Sequence, residues 1–174
     1  MRENVRGGSV GILIVLQCKE DGKEYLLLVE QPRIPIGNLH SLELPAGSID
    51  DNGNFSGVAA KEVKEETGIE IKETDLIDLT EYCFEPSTKF SGHFMSPGGS
   101  DEFMRFFLYK TQMTREEINA LKGKMTGSEH ENEIIHLKVL TIDEAVKTSP
   151  DAKLLVALFI YNRWHESMVA SSKC

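Results

Sequence analysis

The chain has 174 residues, 40% of them hydrophobic and 27% charged, with a formal net charge of −9. This is the composition of a soluble globular protein, read as one domain over residues 1–174, and no apolar run reaches membrane-spanning length. No Lys/Arg cluster offsets the acidity, which argues against nucleic acid as a partner and requires placed cations or metal ions wherever an anion is to bind. The N-terminal MRENVRGGSV lacks the apolar segment of a secretory signal. Cys18, Cys83 and Cys174 show no CxxC spacing and read as reduced thiols, so a cytoplasmic location is expected.

In chain order, Ser9 to Cys18 (SVGILIVLQC) is predicted as a buried strand rich in branched residues. Lys19 to Lys23 supplies an Asp-Gly turn, and Glu24 to Gln31 returns as the second strand of a hairpin. PRIPIGN breaks the pattern, and Ser41 to Pro45 is a short extended piece. Phe55 to Thr67 is predicted as a helix, with Phe55, Ala59, Ala60 and Val63 at helical spacing and Gly68 as a left-handed cap. Leu76 to Phe84 alternates as a half-buried strand. Glu85 to Glu102 is a long polar loop rich in Gly and Pro, within which His93 reads as an ordinary loop histidine. Phe103 to Lys110 is the next strand. Thr114 and Glu117 form a capping box on a helix reaching Leu121, and Thr141 and Glu144 form another after a strand at Ile134 to Leu140. The last helix is predicted to start at Ser149-Pro150, with proline at its first position, and to run to about Met168. Strands joined by both hairpins and helices imply an α/β/α sandwich with a mixed sheet.

The helix from Phe55 to Thr67 carries an electrostatic cost. Glu62 and Glu66 are a like-charge i,i+4 pair, and Glu65 and Glu66 sit at the negative end of the helix dipole, each effect costing roughly a few tenths of a kcal/mol. Lys61 offsets part of this by pairing with Glu65. A solvated surface helix would tolerate the crowding, whereas a divalent cation would turn it into a ligand set.

Gly47, thirteen residues, then KEVKEETGI resembles the signature box of the Nudix hydrolases, which cleave nucleoside diphosphates linked to another moiety. Gly47, Glu62, Val63, Glu65, Glu66, Gly68 and Ile69 match at the family's spacing. Gly53 departs where the family has a Glu, and Lys61 departs where it has an Arg, keeping a cation without the guanidinium fork. Gln31, Arg33 and Glu43 to Gly47 resemble the EQ-x-R and ELPAG run of the branch acting on ADP-ribose and related nucleotide sugars. Ser96, Pro97, Gly98 and Gly99 resemble that branch's SPGG segment.

The resemblance covers roughly Val10 to Trp164 and implies the Nudix α/β/α sandwich. It implies attack of water on one phosphorus of an ADP-sugar, giving AMP and a sugar phosphate, with Mg2+, or Mn2+ in its place. It also implies the site. The Ala46 carbonyl, Glu62, Glu66 and Glu133 would bind metal, and Glu65 is a reserve ligand or a brace. Arg33, Ser96, Gly98, Gly99 and Phe94 would line the substrate. Glu131 would be the general base, with the roles of Glu131 and Glu133 open to reversal. The branch often carries an N-terminal segment that forms a dimer and stacks adenine. Its expected absence passes the stacking to Phe84, Phe90 or Phe94 and leaves a homodimer open. The rival readings are another nucleoside diphosphate derivative, such as UDP-glucose or a dinucleotide, and a non-catalytic nucleotide binder.

Overall fold

The structure is a computed structural model that describes residues 8–49, 54–84, 92–127 and 134–171. Its central strand, β1 (Gly8–Cys18), is buried on both faces, which accounts for its unbroken run of branched aliphatics. β2 (Glu24–Arg33) returns antiparallel to it, with Ile14 opposite Leu27, and β3 (Asn38–Glu43) pairs back onto β2. A 3-10 turn over Ile34–Ile36, closed by Gly37 at φ 64°, makes the bend between them. The short β4 (Ala46–Ser48) lies antiparallel to the start of β1. β7 (Phe103–Met113) runs parallel to β1 along its whole length, from Gly8 opposite Phe103 to Cys18 opposite Met113.

β5 (Leu76–Asp78), β6 (His93–Phe94), β8 (Met125–Thr126) and β9 (Ile135–Thr141) complete a nine-stranded sheet. Its main order is β5-β7-β1-β2-β9-β8. Among the described residues only β1 and β7 pair in parallel, so the sheet is mixed.

Side chains alternate across this sheet into two cores. Val10, Ile12, Ile14 and Leu16 meet Ala59 and Val63 of α1 (Phe55–Thr67) and Ile118 of α3 (Arg115–Leu121). On the other face, Leu13, Val15, Leu26 and Leu28 meet Leu79 of α2 (Leu79–Cys83), Ala145 of α4 (Ile142–Thr148) and Leu154, Ala157, Leu158 and Tyr161 of α5 (Ala152–Ser171). Helices therefore cover both faces, as the sandwich requires. Both predicted capping boxes form, at Thr114/Glu117 and Thr141/Glu144.

Two predicted elements differ from the sequence reading, and β6, with His93, forms inside the stretch read as a long loop. The strand predicted over Leu76 to Phe84 ends at Asp78, whose side chain accepts the Glu81 N–H and caps α2. Local capping here overrides an alternating pattern. The last helix starts at Ala152, not at Ser149-Pro150. Asp151 is the residue that closes its first turn, accepting the Lys153 N–H at 3.0 Å.

Candidate active site

One end of the sheet, where β1 and β7 begin and β2 ends, opens into a cleft of about 1040 Å3. β4 brings its backbone to this end, tied to β1 through the Ile12 N–H, which donates to the Pro45 carbonyl at 2.8 Å. α1 packs alongside. Its register is set by Asn54, which accepts the Gly57 N–H, and by Gly68, which ends the helix at φ 73°. With Ala59 and Val63 fully buried, the 3.6-residue period turns Glu62, Glu65 and Glu66 to the cleft.

Gly47 is where sequence and geometry meet most tightly. A Cβ at this position would overlap the Glu62 carboxylate, so the absence of a side chain lets Glu62 lie directly against the β4 backbone. Glu66 is 6% exposed, and its Oε2 accepts the Ala46 N–H at 3.2 Å. The Thr126 hydroxyl donates to the Glu66 carbonyl, fixing the last turn of α1. Glu65 is more open and faces Lys61 at 3.6 Å. Lys61 thus restrains one acid of the triplet, the work a cation at this position was expected to do.

Arg33 reaches the same cleft from the end of β2. It pairs in a two-pronged contact with Glu43, Nε to Oε1 at 2.8 Å and Nη2 to Oε2 at 2.9 Å. Burial pushes the Glu43 carboxyl up. The hydrogen bonds from Arg33 and Ser41 and the charges of Lys153 and Arg33 outweigh it and hold Glu43 below the ordinary carboxylate range.

The structure therefore gathers Arg33, Ala46, Glu62, Glu65 and Glu66 in one cleft. It places Ser96, Gly98 and Gly99 in a turn in which the Ser96 carbonyl accepts the N–H groups of Gly99 and Ser100, away from the cleft lining. Met95 and Glu102 of that segment line the cleft instead. Phe94 lies against Phe103 with ring centroids 6.3 Å apart, and Phe84 lies 4.9 Å from the His93 ring; neither lines the cleft. His93 is packed between Phe84 and Phe106, and burial holds its pKa below the ordinary histidine value. Gly53, Phe90, Glu131, Glu133 and Cys174 lie outside the described residues. Cys18 and Cys83 are free thiols.

Sequence reasoning missed Lys153, Asp151 and the apolar Ile34-Pro35-Ile36 rim, all of which line the cleft. Lys153 carried a signal. A cation in the first turn of a helix opposes the dipole and calls for nearby anions.

Among the described residues, no group of three or more His, Cys, Asp or Glu side chains converges at metal-binding spacing. What the cleft offers is Glu62 and Glu66 beside the Ala46 backbone, an all-oxygen donor set. That fits a hard cation completed by water and phosphate oxygens, and it does not fit zinc.

The NUDIX domain model matches residues 6–159, and the chain belongs to that family. It is 41% identical over 169 residues to Nudix hydrolase 14, chloroplastic, of Arabidopsis thaliana, covering 97% of this chain and 53% of the relative. It is 28% identical over 137 residues to the ADP-ribose pyrophosphatase of Bacillus subtilis (strain 168), covering 79% and 61%. The chain thus spans little more than half the length of these curated relatives. A mutT/nudix family protein from Listeria innocua shares the fold, with a TM-score of 0.63 at 16% identity over 97% of this chain and 99% of that one. No helix among the described residues is long and apolar enough to cross a membrane.

Proposed function

We propose that this chain is a metal-dependent hydrolase of a nucleoside diphosphate linked to a sugar, of the ADP-ribose class. The observation that carries this reading is a single cleft holding Glu62, Glu65 and Glu66 of α1, the Ala46-Gly47 backbone and Arg33. The EQ-x-R and ELPAG run supplies two of those parts, and the Bacillus subtilis relative bears the name ADP-ribose pyrophosphatase.

Glu62, Glu66 and the Ala46 carbonyl would hold Mg2+, which supplies charge neutralisation on the phosphates and a more acidic water. Arg33 presents a guanidinium to the diphosphate, and its contact with Glu43 fixes the plane of that group before substrate arrives. Water attacks one phosphorus, the bridging P–O bond breaks, and the second phosphate leaves with the bond electrons. Glu131 would take the water proton and Glu133 would add a carboxylate to the metal site, or the two would exchange roles. Glu65, restrained by Lys61, braces the acidic edge. The Ile34-Pro35-Ile36 rim gives the base or sugar an apolar surface, with Ile34 74% and Ile36 64% exposed.

The test is turnover with Mg2+ across ADP-ribose, ADP-glucose, UDP-glucose and a dinucleoside polyphosphate, with products separated by chromatography. AMP and ribose phosphate should form fastest from ADP-ribose. Faster cleavage of UDP-glucose or the dinucleotide overturns the ADP-sugar preference, and no cleavage of any of them makes the chain a binder.

A further inference from the structure

Lys153 occupies a costly position. It lies in the first turn of the 20-residue helix α5, where the dipole is positive, and it is largely shielded from water. Two buried carboxylates hold it there. Its Nζ donates to Asp151 Oδ1 at 2.9 Å and lies 3.6 Å from Glu43 Oε2.

Further hydrogen bonds tie this corner down. Asp151 also accepts the Leu44 N–H at 2.9 Å and the Lys153 N–H, and the Ser149 hydroxyl donates to the Leu42 carbonyl at 2.6 Å. The start of α5 is thereby fastened to the strand that leads into Ala46. Glu43 is shared, so one carboxylate sets the positions of both the Arg33 guanidinium and the Lys153 ammonium. Capping α5 needs only Asp151. Fastening the helix to β3 needs only Asp151 and Ser149. Neither task accounts for a lysine that lines the same cleft as Glu62 and Glu66.

The two charge sets come from opposite layers of the sandwich. The carboxylates project from α1, which packs on one face of the sheet, and Lys153 projects from α5, which packs on the other. In a protein of net charge −9, a polyphosphate entering between them needs cations on the layer away from the carboxylates. An ammonium has three N–H donors, so Lys153 can serve Asp151 and a phosphate oxygen together.

We propose that Lys153 is a substrate-binding residue, a second cation for the diphosphate, held at the cleft wall beside Arg33 by Glu43 and Asp151. The inference deepens the function proposed above and rests on the same cleft. Its test does not depend on turnover.

The probe is inorganic pyrophosphate with Mg2+, titrated calorimetrically into the parent, Lys153→Gln and Lys153→Arg proteins, with thermal midpoints recorded for each. Lys153→Gln should weaken pyrophosphate binding by about tenfold or more, the loss of one charge-assisted hydrogen bond. Lys153→Arg should recover most of that loss, and raising the salt should narrow the gap between parent and Gln variant. A parent that binds no pyrophosphate overturns the proposal. So does a Lys153→Gln protein that binds it within about twofold of the parent, even if its thermal midpoint falls, because Lys153 is then only a structural tie. Tight, Lys153-dependent pyrophosphate binding in a protein that cleaves no nucleotide sugar would retain Lys153 and sink the hydrolase reading instead.

Discussion

Gly47→Ala isolates the placement of one carboxylate from the stability of the fold. Gly47 has no positive φ, so alanine fits the backbone and should gain about 0.4–1 kcal/mol by restricting the unfolded chain. The three atoms nearest to the new Cβ all belong to the Glu62 side chain, which can turn where backbone cannot. Glu62 must therefore rotate away, at about 0.5–1.5 kcal/mol for a strained rotamer. The two terms nearly cancel, and the thermal midpoint should stay within a few degrees of the parent's. Activity should not survive so well. Relieving the overlap moves the carboxylate by roughly an ångström or more, a misplacement that costs about 10²-fold in rate, or about 2.7 kcal/mol of barrier. The assay is kcat/KM for ADP-ribose hydrolysis across a Mg2+ titration, with the Mg2+ midpoint shifted upward in the variant. A double variant with Glu62→Gln should be no slower than Glu62→Gln alone, since both changes remove the same carboxylate from the same place. Rates within about threefold of the parent at an unchanged Mg2+ midpoint would refute the assignment of Glu62.

Glu66→Gln should lower kcat by at least about 10²-fold. Its fold should persist, because the amide oxygen can still accept the Ala46 N–H; near-parental turnover would remove Glu66 from the metal set. Glu131→Gln should reduce kcat while sparing KM, and Glu133→Gln should also raise the Mg2+ requirement. If both stay within about threefold of the parent in kcat, the base lies elsewhere. Asp151→Ala should cost about 2 kcal/mol in denaturant unfolding, from the lost helix cap and the buried Leu44 N–H left without its acceptor. A cost below about 0.5 kcal/mol would show that water replaces both bonds. Glu43 titrates below its unfolded value, so its stabilisation is present above about pH 4.3 and is lost as pH falls through the folded pKa. Denaturant midpoints below about pH 4.3 should accordingly fall more steeply for the parent than for Glu43→Gln; parallel slopes would contradict this.

What could be read from sequence tracks how local the determining forces are. α1 spans the predicted residues because its apolar spacing and its Gly68 cap are local signals. The Thr-x-x-Glu boxes on α3 and α4 worked for the same reason. Asp78-Leu-Thr-Glu was a weaker signal of the same kind, and alternation in LIDLTEYCF concealed it. The Arg33 and Glu43 runs were legible as motifs, but their mutual pairing was not, because β2 and β3 must first fold back on each other. Lys153 carried a signal of nearby anions but none of the cleft itself, since the bonds that place it there join residues 107 positions apart. The Ser96 to Gly99 turn shows the converse. Its order along the chain matched the expected motif, whereas its hydrogen bonds close it on itself outside the cleft lining.

The parallel pairing of β1 with β7 also bears on how the molecule assembles. Each rung, such as Gly8 with Phe103, closes a loop of about 95 residues, whereas Ile14 with Leu27 in the β1–β2 hairpin closes about 13. Loop-closure entropy makes the first about 2 kcal/mol more costly to start. Folding is expected to place the hairpin first and seat β7 late, with pulse-labelled amide exchange protecting β1–β2 amides before those of Phe106 to Leu108. Simultaneous protection would argue for a single concerted nucleus. Met104 and Glu102 reach the cleft only once β7 is in place, so a half-folded chain has no complete site with which to capture a ligand. Ligand added during refolding should then leave the folding rate unchanged and slow only unfolding, lengthening the life of the finished molecule without hastening its birth.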